Sequence, residues 1–163
     1  MAIEKFAAAT VLILHPTEDK LLLVSRVING QVVFEPAGGR LDVDFDQKIA
    51  ETFEECAIRE AKEELNLDIK LRAYVGNYHF FWERVPHLSI RAFTICNVYM
   101  AESISDFSQL NKVGDLDSAP VYPQWVSYES ILNGKILFAD SCIGLKDIIY
   151  SVVKNTKSML EAV

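Results

Sequence analysis

Residues 38–67 read GGRLDVDFDQKIAETFEECAIREAKEELNL, and the pattern in this stretch decides the fold. Its second half, Glu51 to Leu67, has the spacing of an amphipathic helix. With Ile49 at zero and a step of roughly 100° per residue, Phe53, Cys56, Ala57, Ile58, Ala61 and Leu65 fill one arc, from roughly −20° to 180°. That arc is expected to face a core. Glu60 and Glu64 fall inside it, and Glu63 sits just outside. Glu51, Glu55, Arg59 and Lys62 form the opposite, solvated side. Carboxylates one turn apart repel, and on a semi-buried face their charged forms also lose hydration. Two arrangements offset this: the carboxyls hold protons, or a cation sits between them. Three carboxylates offer the oxygen ligands that suit a hard divalent ion such as Mg²⁺. The alternative is a solvated, Glu-rich helix with a miscounted face.

The 163 residues are 50% apolar and 24% charged, a globular composition with enough chain for one domain over 1–163. The net charge is −7 and no Lys/Arg run occurs, which argues against nonspecific nucleic-acid binding. A small anionic ligand stays compatible, because a bound metal reverses the local sign. Cys56, Cys96 and Cys142 are an odd number, widely separated, without zinc-type spacing. A disulfide framework is not expected, and a reducing cytoplasm fits better. Ala7 to Leu14 is apolar but too short to span a membrane and lacks the layout of a signal peptide, so it reads as a strand.

Working outward, Phe6 to His15 reads as a central strand and Lys20 to Arg26 as its hairpin partner. Asn29-Gly30 is a hairpin turn signal that places Gln31 to Phe34 on a further strand. Pro36 to Gly39 is expected to end that strand, with two glycines permitting unusual backbone angles. Leu41 to Lys48, with Asp42, Asp44 and Asp46, is expected to be a polar loop. The helix should end near Asn66, which tolerates the left-handed conformation of a C-cap. Asp68 to Trp82, bent at Gly76-Asn77, and Leu88 to Met100 read as strands. Ser105 to Pro120 is a polar loop, Val121 to Ser127 a strand and Tyr128 to Leu132 a short helix. Ser141 to Met159 is a final amphipathic helix with Ile143, Ile148, Ile149, Val152 and Val153 on its apolar face. This order predicts an α/β protein with a mixed sheet between helices.

Glu51, seven residues, then Arg59-Glu60-Ala61-Lys62-Glu63-Glu64-Leu65-Asn66-Leu67 closely resembles the signature of the Nudix hydrolases. That pattern is Gly, five residues, Glu, seven residues, then Arg-Glu-apolar-any-Glu-Glu-any-Gly-apolar. Two departures stand out. Asn66 replaces the family glycine, and eleven residues instead of five separate Gly39 from Glu51. The extra six are placed within Leu41 to Ala50; loop-closure cost grows slowly with length, so the helix face is not expected to suffer. The resemblance implies the Nudix fold, an α/β/α sandwich. It also implies that Glu60, Glu63 and Glu64, with the Gly39 carbonyl, bind Mg²⁺ or Mn²⁺. Arg59 would orient Glu51 through a charge-assisted hydrogen bond; an ordinary surface pair with Glu55 or Glu63 is the plainer reading.

The activity such a site implies is hydrolysis of a diphosphate linkage in a nucleoside diphosphate joined to another moiety, such as ADP-ribose or a nucleotide sugar. Glu35-Pro36-Ala37-Gly38 is similar to the sequence before the box in ADP-ribose-type members, although Pro86 is not at the usual place of their downstream proline. Those relatives are commonly dimers, so a homodimer is the expectation by analogy. Within the family the alternatives are a housecleaning nucleoside triphosphate pyrophosphohydrolase and a non-catalytic nucleotide-sensing module. The intact Arg59, Glu60, Glu63 and Glu64 speak against the latter. An isoprenoid diphosphate isomerase on the same fold would use a cysteine, and Cys56 on the helix reads as packing. Proton acceptors are Glu51, Glu63 or Glu64 in the box, or Asp115 and Asp117 in the later loop. Arg40 follows the glycine pair and could reach a phosphate, with Arg26 and Arg91 as vaguer candidates; Tyr78 to Trp82, Phe81 among them, could stack on a base, although alternating aromatics on a strand are more often core. His79 and His87 lack ligand spacing.

Overall fold

A computed structural model describes residues 3–44, 46–85, 90–110 and 122–161. Its spine is β1 (Ile3–Leu14), whose near-continuous apolar run reflects burial on both faces. β1 pairs in parallel with β8 (Ile90–Ser103) along most of its length. On its other side it has two successive antiparallel partners. Ile13 and Leu14 pair with β2 (Lys20–Ile28), and Ala8 to Val11 pair with β4 (Ala37–Arg40). β2 also pairs with β3 (Gln31–Glu35) and with β9 (Tyr122–Ser127), and β7 (Ile69–Val85) closes the far side of β8. The result is a seven-stranded mixed sheet.

Alternation along β1 feeds two cores. Ala9, Val11 and Ile13 join Leu22, Val24, Cys56, Ala57, Ala61 and Leu65 under α1 (Phe53–Leu65). Ala8 and Leu12 join Leu21, Leu23, Val98, Ile131, Ile149 and Val153 under α2 (Tyr128–Leu132) and α3 (Lys146–Glu161). Helices therefore cover both faces, as expected from the order of elements.

Helix α1 is bounded by local chemistry. The Thr52 hydroxyl accepts from Glu55 N–H while the Glu55 carboxylate accepts from Thr52 N–H, a capping box worth about 1 kcal/mol. Asn66 ends it in the left-handed region at φ 54°, with its N–H returned to the helix carbonyls. The Asn29-Gly30 turn also forms as read, with φ 51° and 78°.

Several expectations are corrected. Gly38 and Gly39 do not terminate a strand through unusual angles; they lie inside β4 without positive φ. Glycine is needed there for closeness: an ideal Cβ at Gly38 would sit 2.5 Å from the Ala9 carbonyl oxygen. Leu41 to Lys48 is not wholly loop, because β5 (Val43–Asp44) and β6 (Ile49–Ala50) form a two-residue antiparallel ribbon. Ile58 is 43% exposed, because α1 presents only its narrow Cys56-Ala57-Ala61 stripe to the sheet. Ile143 is 74% exposed because it precedes α3, which starts at Lys146 instead of Ser141. Asp115, Asp117, Pro86 and His87 lie outside the described residues. Among those described, no helix is long and apolar enough to cross a membrane.

Candidate active site

The pairing of β4 with β1 brings Gly38 and Gly39 against the carboxylate face of α1. The closeness is extreme at Gly39, where an ideal Cβ would fall 2.1 Å from Glu60 Oε1. Glycine here makes room for a carboxylate. Cys56, wholly buried, donates its thiol to the Gly39 carbonyl at 3.4 Å. Burial and the charges of Glu51 and Glu60 push that thiol up to about 12, so it serves as packing and not as a nucleophile.

Arg59 organises one side of the cluster. Its Nε and Nη2 donate to the two Glu51 oxygens at 2.9 and 3.0 Å, a bidentate pair. Nη1 donates to Glu60 at 2.8 Å and to Glu63 at 3.0 Å, and Nη2 also donates to the Arg40 carbonyl at 2.9 Å. The guanidinium holds the Glu51 carboxyl below the usual carboxylate range, and Glu51 in turn keeps Arg59 firmly charged. Glu51 also clamps the ribbon, accepting from Asp42 N–H at 3.0 Å while its own N–H donates to the Asp42 carbonyl at 2.9 Å.

Arg26 organises the other side. It donates to Glu35 through Nε and to Glu64 through Nη2, the latter at 2.8 Å. The second Glu64 oxygen accepts from Gly38 N–H at 3.1 Å. Burial dominates the electrostatics here: it raises the Glu60 carboxyl and pushes Glu64 up to about 7 in spite of Gly38 and Arg26. Glu63 lies at the surface, its side chain 55% exposed. Two carboxylates of raised pKa beside a carbonyl, Glu64 buried and Glu60 largely so, are an oxygen donor set that a hard divalent cation would fit. Among the described residues no three acidic, His or Cys groups already converge on one point. Each box carboxylate is turned toward a guanidinium instead.

Beside this cluster a cavity of about 770 Å³ opens between β1, β2, β4, β7 and β8. Arg26, Glu35, Gly39 and Arg40 line its charged side, and Tyr78, Phe80 and Trp82 its aromatic wall. Arg40 is thus at the cavity, its guanidinium 4.9 Å from the Phe6 ring centroid. Phe81 is not brought to it. Strand β7 has period two, so Phe80 and Trp82 point in, while Phe81 is 72% exposed and packs against Phe93 in a tilted pair with centroids 5.0 Å apart. The floor is neutral: Thr10 Oγ1 contacts Cys96 Sγ at 3.1 Å, and Trp82 Nε1 donates to Thr94 at 3.1 Å.

Arg26 and Glu35 were weakly marked in the sequence, Arg26 as a vague phosphate candidate and Glu35 only within the Glu-Pro-Ala-Gly run. A signal existed. The Asn29-Gly30 turn sets Arg26 opposite Val33, which puts Glu35 diagonally across on the same face.

A carboxylate-bearing helix packs on a glycine strand in a mixed sheet between helices, the arrangement that the resemblance to the Nudix hydrolases implies. The family model described as NUDIX domain matches residues 5–141, and the chain belongs to this family. It is accordingly an enzyme of the pyrophosphohydrolase type. Among solved structures, a MutT protein from Methanosarcina mazei Go1 is similar at 19% identity and a TM-score of 0.64, with 96% of this chain and 98% of that one covered. A NUDIX hydrolase from Nitrosomonas europaea is similar at 17% identity and a TM-score of 0.63, covering 91% and 90%. The E. coli ORF135 protein follows at 19% identity and a TM-score of 0.58, covering 92% and 91%. These likenesses concern the fold. No curated protein matches the sequence.

Proposed function

We propose that the chain hydrolyses the diphosphate linkage of a nucleoside diphosphate joined to another moiety, such as ADP-ribose or a nucleotide sugar, with Mg²⁺ or Mn²⁺. The carrying observation is adjacency: Glu64, buried, and Glu60, largely so, stand against Gly38-Gly39, and this strand is also a wall of the cavity. Glu60, Glu63, Glu64 and the Gly39 carbonyl would hold the metal. Once bound, the metal supplies charge neutralisation for the phosphate oxygens and an acidified water. The chain supplies the rest. Arg40 meets phosphate at the mouth, and Phe80 and Trp82 give a planar group a stacking surface away from the charges. Arg59 keeps Glu60 and Glu63 aimed.

Glu51 suits anchoring better than proton acceptance. Both its oxygens are engaged by Arg59, and its carboxyl is held low. That leaves Glu63 and Glu64 as the described acceptors, with Asp115 and Asp117 as those of the later loop.

The test is Glu64→Gln, which removes one ligand charge while keeping the shape. Mg²⁺-dependent release of phosphate-containing products should fall by at least about a hundredfold with the circular dichroism spectrum unchanged. Full activity in that variant would remove the metal assignment. A panel of nucleoside diphosphate sugars, dinucleoside polyphosphates, coenzyme A and oxidised nucleoside triphosphates separates the substrate classes. Preference for triphosphates would favour the housecleaning reading, and binding without product a sensing module.

A further inference from the structure

We infer that Arg26 is a resident counter-ion of the metal site: its guanidinium sits on the Glu64 oxygen that is open to a divalent cation, and the two positive groups compete for that place. This rests on the metal reading given above. Glu64 has two oxygens, and each already accepts one hydrogen bond. Oε2 accepts from the Gly38 N–H, a donor fixed in β4 by pairing with β1. Freeing it would mean moving the sheet. Oε1 accepts from Arg26 Nη2 at 2.8 Å, and a guanidinium on a flexible stem swings away without disturbing any strand. A dication on Oε1 would stand against that guanidinium, so like-charge repulsion makes Oε1 the point of exchange.

Arg26 and Arg59 differ in this respect. Arg59 is tied by the bidentate Glu51 pair and by the Arg40 carbonyl, contacts that do not involve a proposed ligand side chain. It can let go of Glu60 or Glu63 and still stay in place. Arg26 is held by Glu35 on the neighbouring strand, which keeps the displaced guanidinium in the cavity wall. Exchange replaces a single positive charge by a double one among Glu35, Glu60 and Glu64. The arginine thus keeps the buried carboxylates compensated when no metal is bound, and it weakens metal affinity by competing for the same oxygen.

The experiment is Mn²⁺ titration of the full chain at pH 8, with free Mn²⁺ counted by electron paramagnetic resonance. Arg26→Gln should bind Mn²⁺ about tenfold tighter than wild type, the loss of one charged hydrogen bond from the competing state. Arg26→Met, which keeps the apolar stem, carries the same expectation if the glutamine variant folds poorly. Arg26→Lys retains a competing charge and should stay nearer to wild type than either. Thermal melts supply a second readout. Metal-free Arg26→Gln should melt below wild type, and saturating Mn²⁺ should narrow that gap, because the metal takes over compensation of Glu64. A merely structural arginine would leave the gap unchanged. Equal or weaker Mn²⁺ affinity in Arg26→Gln and Arg26→Met, with wild type binding normally, overturns this inference alone. Absence of Mn²⁺ binding in every protein, wild type included, overturns the metal reading and this inference with it.

Discussion

Two neighbouring glycines should give opposite phenotypes when each is replaced by alanine. At Gly38 the new Cβ meets main chain: the Ala9 carbonyl oxygen at 2.5 Å and Thr10 Cα at 2.9 Å. Main chain inside a paired sheet cannot rotate out of the way, so β4 must separate from β1 by several tenths of an ångström. Overpacking of this kind costs about 1–3 kcal/mol, and the backbone clash puts Gly38→Ala near the top of that range. Alanine also stiffens the unfolded chain, which offsets about 0.4–1 kcal/mol. A net loss of about 2 kcal/mol corresponds to a fall of roughly 4–8 °C in melting temperature for a domain of this size. At Gly39 the new Cβ meets the Glu60 carboxylate, with Oε1 at 2.1 Å and Cδ at 2.4 Å. That group ends a flexible side chain and will swing aside, giving up its 2.8 Å bond to Arg59. The stability cost should stay near 1 kcal/mol, as for other partly exposed pairs. If Glu60 holds metal as proposed, its displacement by an ångström or more should cost about a hundredfold in kcat/KM. Calorimetry and a phosphate-release assay on the two variants check this. Equal melting temperatures, or Gly39→Ala with wild-type activity, would refute the reasoning.

Other consequences are simpler to read out. Glu64 titrates near 7 when folded, above the carboxylate range of the unfolded chain, so the folded state binds the extra proton. The Glu64 contribution to stability should therefore be greatest below about pH 4.5, decline as pH rises toward 7, and level off above; Glu64→Gln should remove that component from the urea midpoints. Glu51 has the opposite sign: its contribution is present above the carboxylate range and disappears as pH falls through its lowered value. Asn66→Gly should be neutral within about 0.5 kcal/mol, whereas Asn66→Val should cost about 1–2 kcal/mol because φ is 54° there; urea melts of both decide. Cys56, Cys96 and Cys142 are buried with raised thiols, so Ellman's reagent should show no fast-reacting thiol until denaturant is added.

What was legible in the chain follows from the range of each interaction. Caps and turns are local, so Asn66 and Asn29-Gly30 could be read directly. The Glu60–Glu64 anomaly was visible because helix periodicity carries one residue's environment to the next turn. Ile58 and Ile143 were misread for want of the partner surface: hydrophobicity says that a side chain prefers cover, and packing decides whether cover exists. The parity of β7 is a sharper case. Alternation identifies two faces, but only the pairing with β8 reveals that Phe80 and Trp82, not Phe81, meet the cavity. Gly38 and Gly39 read equally as a turn or as close approach, and only the neighbouring strand and helix separate the two. The floor groups Thr10, Thr94 and Cys96 carry no sequence mark, being small neutral residues in two strands that are distant along the chain.

The ribbon between β4 and α1 bears on how such a chain tolerates added length. Asp42 and Glu51 exchange two hydrogen bonds across its base. Whatever lies between them is spliced out of the geometry: the chain re-enters the box at Glu51 in register, as though the intervening residues were absent. The first carboxylate of the box is thus also a suture. Length and sequence between positions 43 and 50 can drift, or be replaced by a reporter tag or a foreign hairpin, while the spacing from Glu51 to Arg59 stays as the site requires.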